Sequence, residues 1–190
     1  MCAQRKIVFA LTAVFLLVLL GIVLGLIQQG QYDYAKNIGV KIVLWIIYTF
    51  IDVKKGINLN IYIRASVMTV IFSDSFFGLY FDLYTTSSIF DKIQHIVGSY
   101  AFSLFAYSVM IRLTRPAIGP GFTFILVLAL GLGIGALYEV GEFIGDYITK
   151  PRVPSQPSLL DTNLDLIADI IGSLLAAIQA TIILVGNIKK

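Results

Sequence analysis

Eleven acidic residues and a single histidine lie in a chain of 190 residues, and most of them fall at helical spacing. Asp91 and His95 are four residues apart. At about 100° per residue they sit about 40° apart around a helix, with Gly98 on the same stripe. Glu139, Glu142 and Asp146 share a face with Gly131 and Gly135, a small-residue stripe that lets helices approach closely. Asp161, Asp165 and Asp169 share a face with Gly172, Ala176 and Gln179, and descend about 12 Å along their axis. Asp74, Gly78 and Asp82 repeat the same spacing.

So many carboxylates on seams between helices repel unless they share protons, pair with basic groups or bind a cation. Lys92, Lys150 and Arg152 are the basic residues near the same helix ends, too few to neutralise them all. A divalent cation is the direct remedy. Carboxylate oxygen suits Mg²⁺, Mn²⁺ or Ca²⁺, and an imidazole also admits Zn²⁺ or Mn²⁺. The expected metal ligands are Glu139, Glu142, Asp165 and Asp169, with Asp91 and His95 orienting a nucleophilic water or shuttling a proton. Asp74 and Asp161 are candidates for an additional site. Asp161, just after Ser158, reads equally as an acid favoured at a helix N-terminus, and His95 equally as an interior imidazole. Neither the Glu-x-x-His of di-iron bundles nor His-Glu-x-x-His is present. The competing reading is structural, with interhelical hydrogen bonds and protonated acids as glue.

The elements that must position these groups are membrane helices. Apolar residues make up 58% of the chain and charged residues 13%, and the apolar residues come in blocks long enough to cross a ~30 Å hydrocarbon core. The blocks predict an all-α, polytopic integral membrane bundle of six transmembrane helices, about 7–27, 38–53, 61–83, 91–113, 121–148 and 159–188, forming a single transmembrane domain over 1–190. The first block exceeds a signal-peptide core and ends in Gln28, Gln29 and Gly30 without a small-residue cleavage site, so a retained anchor is expected. Lys54, Lys55, Gly56 and Asn58, and Arg115, Pro116, Gly119 and Pro120, mark turns. Pro151, Pro154 and Pro157 predict an extended connection.

Alternate loops carry unequal positive charge. Arg5, Lys6, Lys54, Lys55, Arg64, Arg112, Arg115, Lys189 and Lys190 fall on one side, and Lys36, Lys41, Lys92, Lys150 and Arg152 on the other. The excess of Lys and Arg predicts cytoplasmic termini. Every acid except Asp52 then falls in the outer half, giving a multi-pass cell-membrane protein whose acidic site faces the extracytoplasmic side. The lipid bilayer is the expected partner. Basic residues occur singly or in pairs, which excludes a nucleic-acid surface. Cys2 has no second cysteine to pair with. Oligomeric state is left open.

The strings FDKIQHIVGSY (90–100), ALYEVGEFIGD (136–146) and LLDTNLDLIADIIGSLLAA (159–177) resemble the YjdF-like family of uncharacterised bacterial inner-membrane proteins. They are distantly similar to VanZ-like proteins, with an Asp-Lys-x-x-His element, an acidic helix and a late Asp-rich helix. The resemblance implies a bacterial membrane setting and points to Asp91, Lys92 and His95, then Glu139 and Glu142, then Asp161, Thr162, Asp165 and Asp169. The VanZ-like late Glu-x-x-Gln and Arg-containing stretch is replaced by Glu-x-x-Glu and a Pro-rich loop, so the resemblance carries no glycopeptide resistance. The leading functional expectation is a metal-dependent enzyme acting on a lipid-like or cell-envelope substrate. A proton- or cation-coupled transporter and a structural or partner-binding membrane protein are the alternatives.

Overall fold

A computed structural model describes residues 2–151 and 154–188, with side-chain surroundings for 6–151 and 154–183. Arg152, Lys189 and Lys190, counted above as orientation signals, lie outside the described residues, as does the side chain of Arg5. The described residues form helices α1 (Cys2–Gln28), α2 (Tyr32–Lys55), α3 (Ile61–Ser73), α4 (Leu83–Thr86), α5 (Phe90–Thr114), α6 (Pro120–Thr149) and α7 (Leu159–Ile188), and α3 runs into a π-helical segment, Asp74–Tyr80. No strand occurs among them. The chain folds into two compact units, Met1–Ser87 and Ser88–Lys190.

Among the described residues, four helices are long and apolar enough to cross a membrane: Lys6–Gln28, Phe90–Thr114, Pro120–Thr149 and Leu159–Ile183. The expectation of six is corrected to that extent. The second expected span lies in α2, whose Asp33, Lys36, Lys41, Asp52, Lys54 and Lys55 spread charge along its length. The third divides after 13 residues, where the α-helical pattern gives way to the π-helical one.

In the first unit, α1 packs on α2 through an edge-on contact of Phe15 and Trp45, 5.4 Å between centroids. Arg64 of α3 is buried and donates from Nη2 to Asp52 Oδ2 of α2 at 2.8 Å, under the ring of Tyr48. Arg64 is therefore an internal ion pair and not a loop charge. Lys41 likewise pairs with Asp74 at the start of the π-helical segment, and Asp74 accepts from Tyr84 Oη at 2.8 Å.

The second unit is a three-helix bundle in which α7 packs along both α5 and α6. Its interior is small and polar. Gly131, Gly135, Gly172, Ala168, Ala176 and Ala177 line the seams, and a Cβ on Gly172 would strike the backbone of Ile96 and Tyr100. The large apolar side chains point outward, among them Leu137 and Phe143 of α6 and Ile167 and Leu175 of α7. Such continuous apolar exterior suits lipid, where backbone groups are satisfied within each helix.

Candidate metal centre

The first turns of α5 and α7 and the last turns of α6 meet at one end of the second unit. Ser158 opens α7, its Oγ accepting the Asp161 N–H at 3.2 Å, as a residue capping a helix N-terminus does. Asp146, near the end of α6, accepts the backbone N–H groups of Ser155 and Gln156 at 3.0 and 2.9 Å. This folds the proline-bearing connection back over the helix ends. Gln156 then donates from Nε2 to Glu139 O and Oε2 at 2.8 and 2.7 Å, which fixes the Glu139 carboxylate.

His95 sits at the centre of the acids. Its Nδ1 is 3.2 Å from Asp169 Oδ1, which also accepts from Ser99 Oγ. Its Nε2 is 3.7 Å from Asp91 Oδ1, 3.6 Å from Glu139 Oε1 and 3.7 Å from Asp165 Oδ1. Those separations are too long for hydrogen bonds. They are close to the distance of about 3.4 Å between neighbouring ligand atoms of a tetrahedral ion with bonds of about 2.1 Å. Two overlapping groups have ligand atoms within 4.8 Å of one another: Asp91, His95 and Asp165, and His95, Glu139 and Asp169.

Glu139, Asp165 and Asp169 are at most 4% exposed. Whereas Asp165 Oδ1 has the Lys92 ammonium 2.6 Å away, Glu139 Oε1 and Asp169 Oδ2 accept no hydrogen bond among the described residues. Buried acceptors of this kind are costly unless something satisfies them. Gly135 makes the room, since a Cβ there would strike the Asp169 carboxylate.

The outer edge is organised by Lys92. Its Nζ reaches Asp91 Oδ2 at 3.0 Å, Asp161 Oδ1 at 2.6 Å, and both Asp165 oxygens, at 2.6 and 2.8 Å. Asp161 is thus both an acid in the first turn of α7 and a partner of Lys92. Glu142 is half-buried one turn beyond Glu139 and falls outside both close-set groups. Asp74 belongs to the first unit, with Lys41 and Tyr84.

Sequence reasoning passed over Ser99 and Gln156; it named Lys92 through the family resemblance and otherwise as one of too few cations. Ser99 lies four residues beyond His95 on the same stripe, a signal that could have been read. Gln156 lies in a loop, where no periodicity points. Below the acids, Ser103 and Ser173 are fully buried beside Gly131, with Thr123 further along α6, so polar groups extend beyond the acid-bearing end of the unit.

A family model described as "Predicted membrane protein (DUF2238)" matches residues 9–186, consistent with the YjdF-like resemblance. A protein of Thermotoga maritima described as uncharacterised is 32% identical over 109 residues, covering 57% of this chain and 56% of that relative. The match spans little more than half the relative's length. No solved structure matches.

Proposed function

Since the chain belongs to that family of predicted membrane proteins, we propose that it is a multi-pass membrane protein holding a divalent metal ion. The proposed ligands are His95 Nε2, Asp91 Oδ1 and Asp165 Oδ1, which form one close-set group, with Glu139 Oε1, of the second group, facing the same nitrogen at 3.6 Å. The observation that carries this reading is the set of three carboxylate oxygens 3.6 to 3.7 Å from one imidazole nitrogen, one of which, Glu139 Oε1, is buried and accepts no hydrogen bond among the described residues. With the proton on Nδ1 donated to Asp169, the Nε2 lone pair is left for the ion, and Ser99 holds Asp169 in place. Asp169 then orients the histidine from the Nδ1 side of the ring, and Glu142 stands one turn along α6 from Glu139. A bound divalent ion would supply a water acidic enough to act as a nucleophile near neutral pH.

The activity that fits is metal-dependent hydrolysis of a lipid-like or cell-envelope substrate at the extracytoplasmic leaflet. α2 and α3, crossing as a pair or not at all, leave the parity of the chain unchanged. With α2 and α3 crossing as a pair, Lys54 and Lys55 fall on the side of the termini, and the basic-residue balance then favours cytoplasmic termini and an outward-facing acid end of the second unit.

Purified protein should retain about one Mn²⁺, Zn²⁺ or Mg²⁺ per chain after mild extraction and melt at a higher temperature when the ion is restored. Glu139→Gln should lose both properties. Absence of both metal and metal-induced stabilisation in the wild-type protein would sink the reading. Release of headgroups from bacterial envelope lipids, abolished by chelator and by Glu139→Gln, would establish the enzyme.

The buried hydroxyls of Ser99, Ser103, Ser173 and Thr123 favour a second reading, cation or proton transport along the bundle. Flux into sealed liposomes that Glu139→Gln abolishes, without headgroup release, would select it.

A further inference from the structure

Lys92 stands at the more exposed edge of the acidic cluster. Its ammonium lies 2.6 Å from Asp165 Oδ1, the same oxygen that stands 3.7 Å from His95 Nε2 and accepts no hydrogen bond of good geometry. One oxygen thus serves two cations, one tethered and one expected. Lys92 also bonds Asp161 Oδ1 at 2.6 Å and Asp91 Oδ2 at 3.0 Å. The side chains of Asp91 and Asp161 are each 24% exposed and that of Lys92 20%, against 2% for Asp165. The lysine straddles the boundary between the wet rim and the buried acids, with acceptors already in place on the rim.

We propose that Lys92 is a specificity-determining residue, a tethered monovalent cation that is displaced from Asp165 toward Asp161 and Asp91 by a divalent ion and not by Na⁺ or K⁺. The inference rests on the metal-binding reading above. Replacing an ammonium by Na⁺ exchanges one unit charge for another and gains no Coulomb energy. It also requires the sodium ion to shed water that the tethered group has already shed. A divalent ion brings a second charge to Glu139 and Asp165, where low local dielectric magnifies the gain. The displaced ammonium keeps two carboxylates and regains solvent. Lys92 therefore weakens divalent binding moderately and monovalent binding severely, which lets a carboxylate site work in a sodium-rich exterior.

The test is Mn²⁺ titration of the full-length protein in nanodiscs, read by calorimetry, in choline chloride and in NaCl at equal ionic strength. Wild-type affinity should be the same in both salts within about twofold. In Lys92→Met, affinity in choline should tighten tenfold or more and should then fall at least tenfold in NaCl, while Lys92→Arg should behave as wild type. A wild-type protein whose Mn²⁺ affinity falls tenfold in NaCl overturns the proposal without any variant. So does a folded Lys92→Met that binds Mn²⁺ as the wild type does, or more weakly; in both cases the metal site itself stands. If neither protein binds Mn²⁺, Mg²⁺ or Zn²⁺, the metal reading fails and this inference with it.

Discussion

At the scale of single residues, the two ring nitrogens of His95 have different neighbours, and substitutions around them should separate. Asp169 touches Nδ1 and Asp165 faces Nε2. Asp165→Asn removes a charged ligand and should weaken Mn²⁺ binding by a hundredfold or more. Asp169→Asn leaves the ligands in place but disturbs the ring they depend on, and partners in that position typically matter by about 10–100-fold. Titration of both variants checks the order. Equal losses would mean that Asp169 is itself a ligand, as its spacing in the sequence suggested. His95 also shows why the site could be only partly anticipated. Its four-residue relation to Asp91 is a property of one helix, whereas its contacts with Glu139 and Asp169 depend on where two other helices pass.

At the scale of elements, the seams decide whether those side chains meet. Gly172 faces the backbone of α5, while Gly133 on α6 faces open space. Gly172→Ala must push α7 away from α5. It should lower the melting temperature by an amount equivalent to about 1–3 kcal/mol, the usual range for overpacking, and weaken metal binding along with it. Gly133→Ala should stabilise slightly or do nothing, since alanine favours helix over glycine by up to about 1 kcal/mol. Thermal melts of the two variants give the contrast. In the first unit, the pair joining α2 to α3 is buried on both sides, Arg64 at 1% and Asp52 at 6%. Arg64→Met alone strands a buried carboxylate and should cost about 3–5 kcal/mol. Joining it to Asp52→Leu should recover most of that loss, and a double variant no more stable than the single would contradict the argument. Charge pairing of this kind also removes Arg64 and Lys41 from the count of loop charges; with α2 and α3 crossing as a pair they come one from each side, and the bias toward cytoplasmic termini keeps its direction.

At the scale of the whole molecule, the prediction concerns sidedness. Ser155 is exposed in the connection that Asp146 ties over the site. In a chain with Cys2→Ser and Ser155→Cys, an impermeant maleimide applied to intact cells should label the new thiol, whereas Arg115→Cys, at the opposite end of α5, should react only after the membrane is opened. The reverse pattern would turn the site toward the cytoplasm and remove the envelope substrate from consideration.

The sequence by itself determined an all-helical membrane chain, because an unbroken apolar block the length of the hydrocarbon core has few other stable destinations. It also singled out Asp91, His95, Glu139, Asp165 and Asp169, because a period of 3.6 residues puts such groups on the seam of a helix whatever the seam faces. Tertiary structure decided the rest. It removed Asp74 to the first unit and left Glu142 outside the close-set groups. It divided the expected third span where α3 turns π-helical, set Lys92 against Asp161 and Asp165, and brought loop-borne Gln156 into the constellation. Charge neutralisation and ligand spacing depend on distances between helices, which are set by Gly131, Gly135 and Gly172 acting through partners far away in the sequence, and no periodicity within one helix encodes those distances.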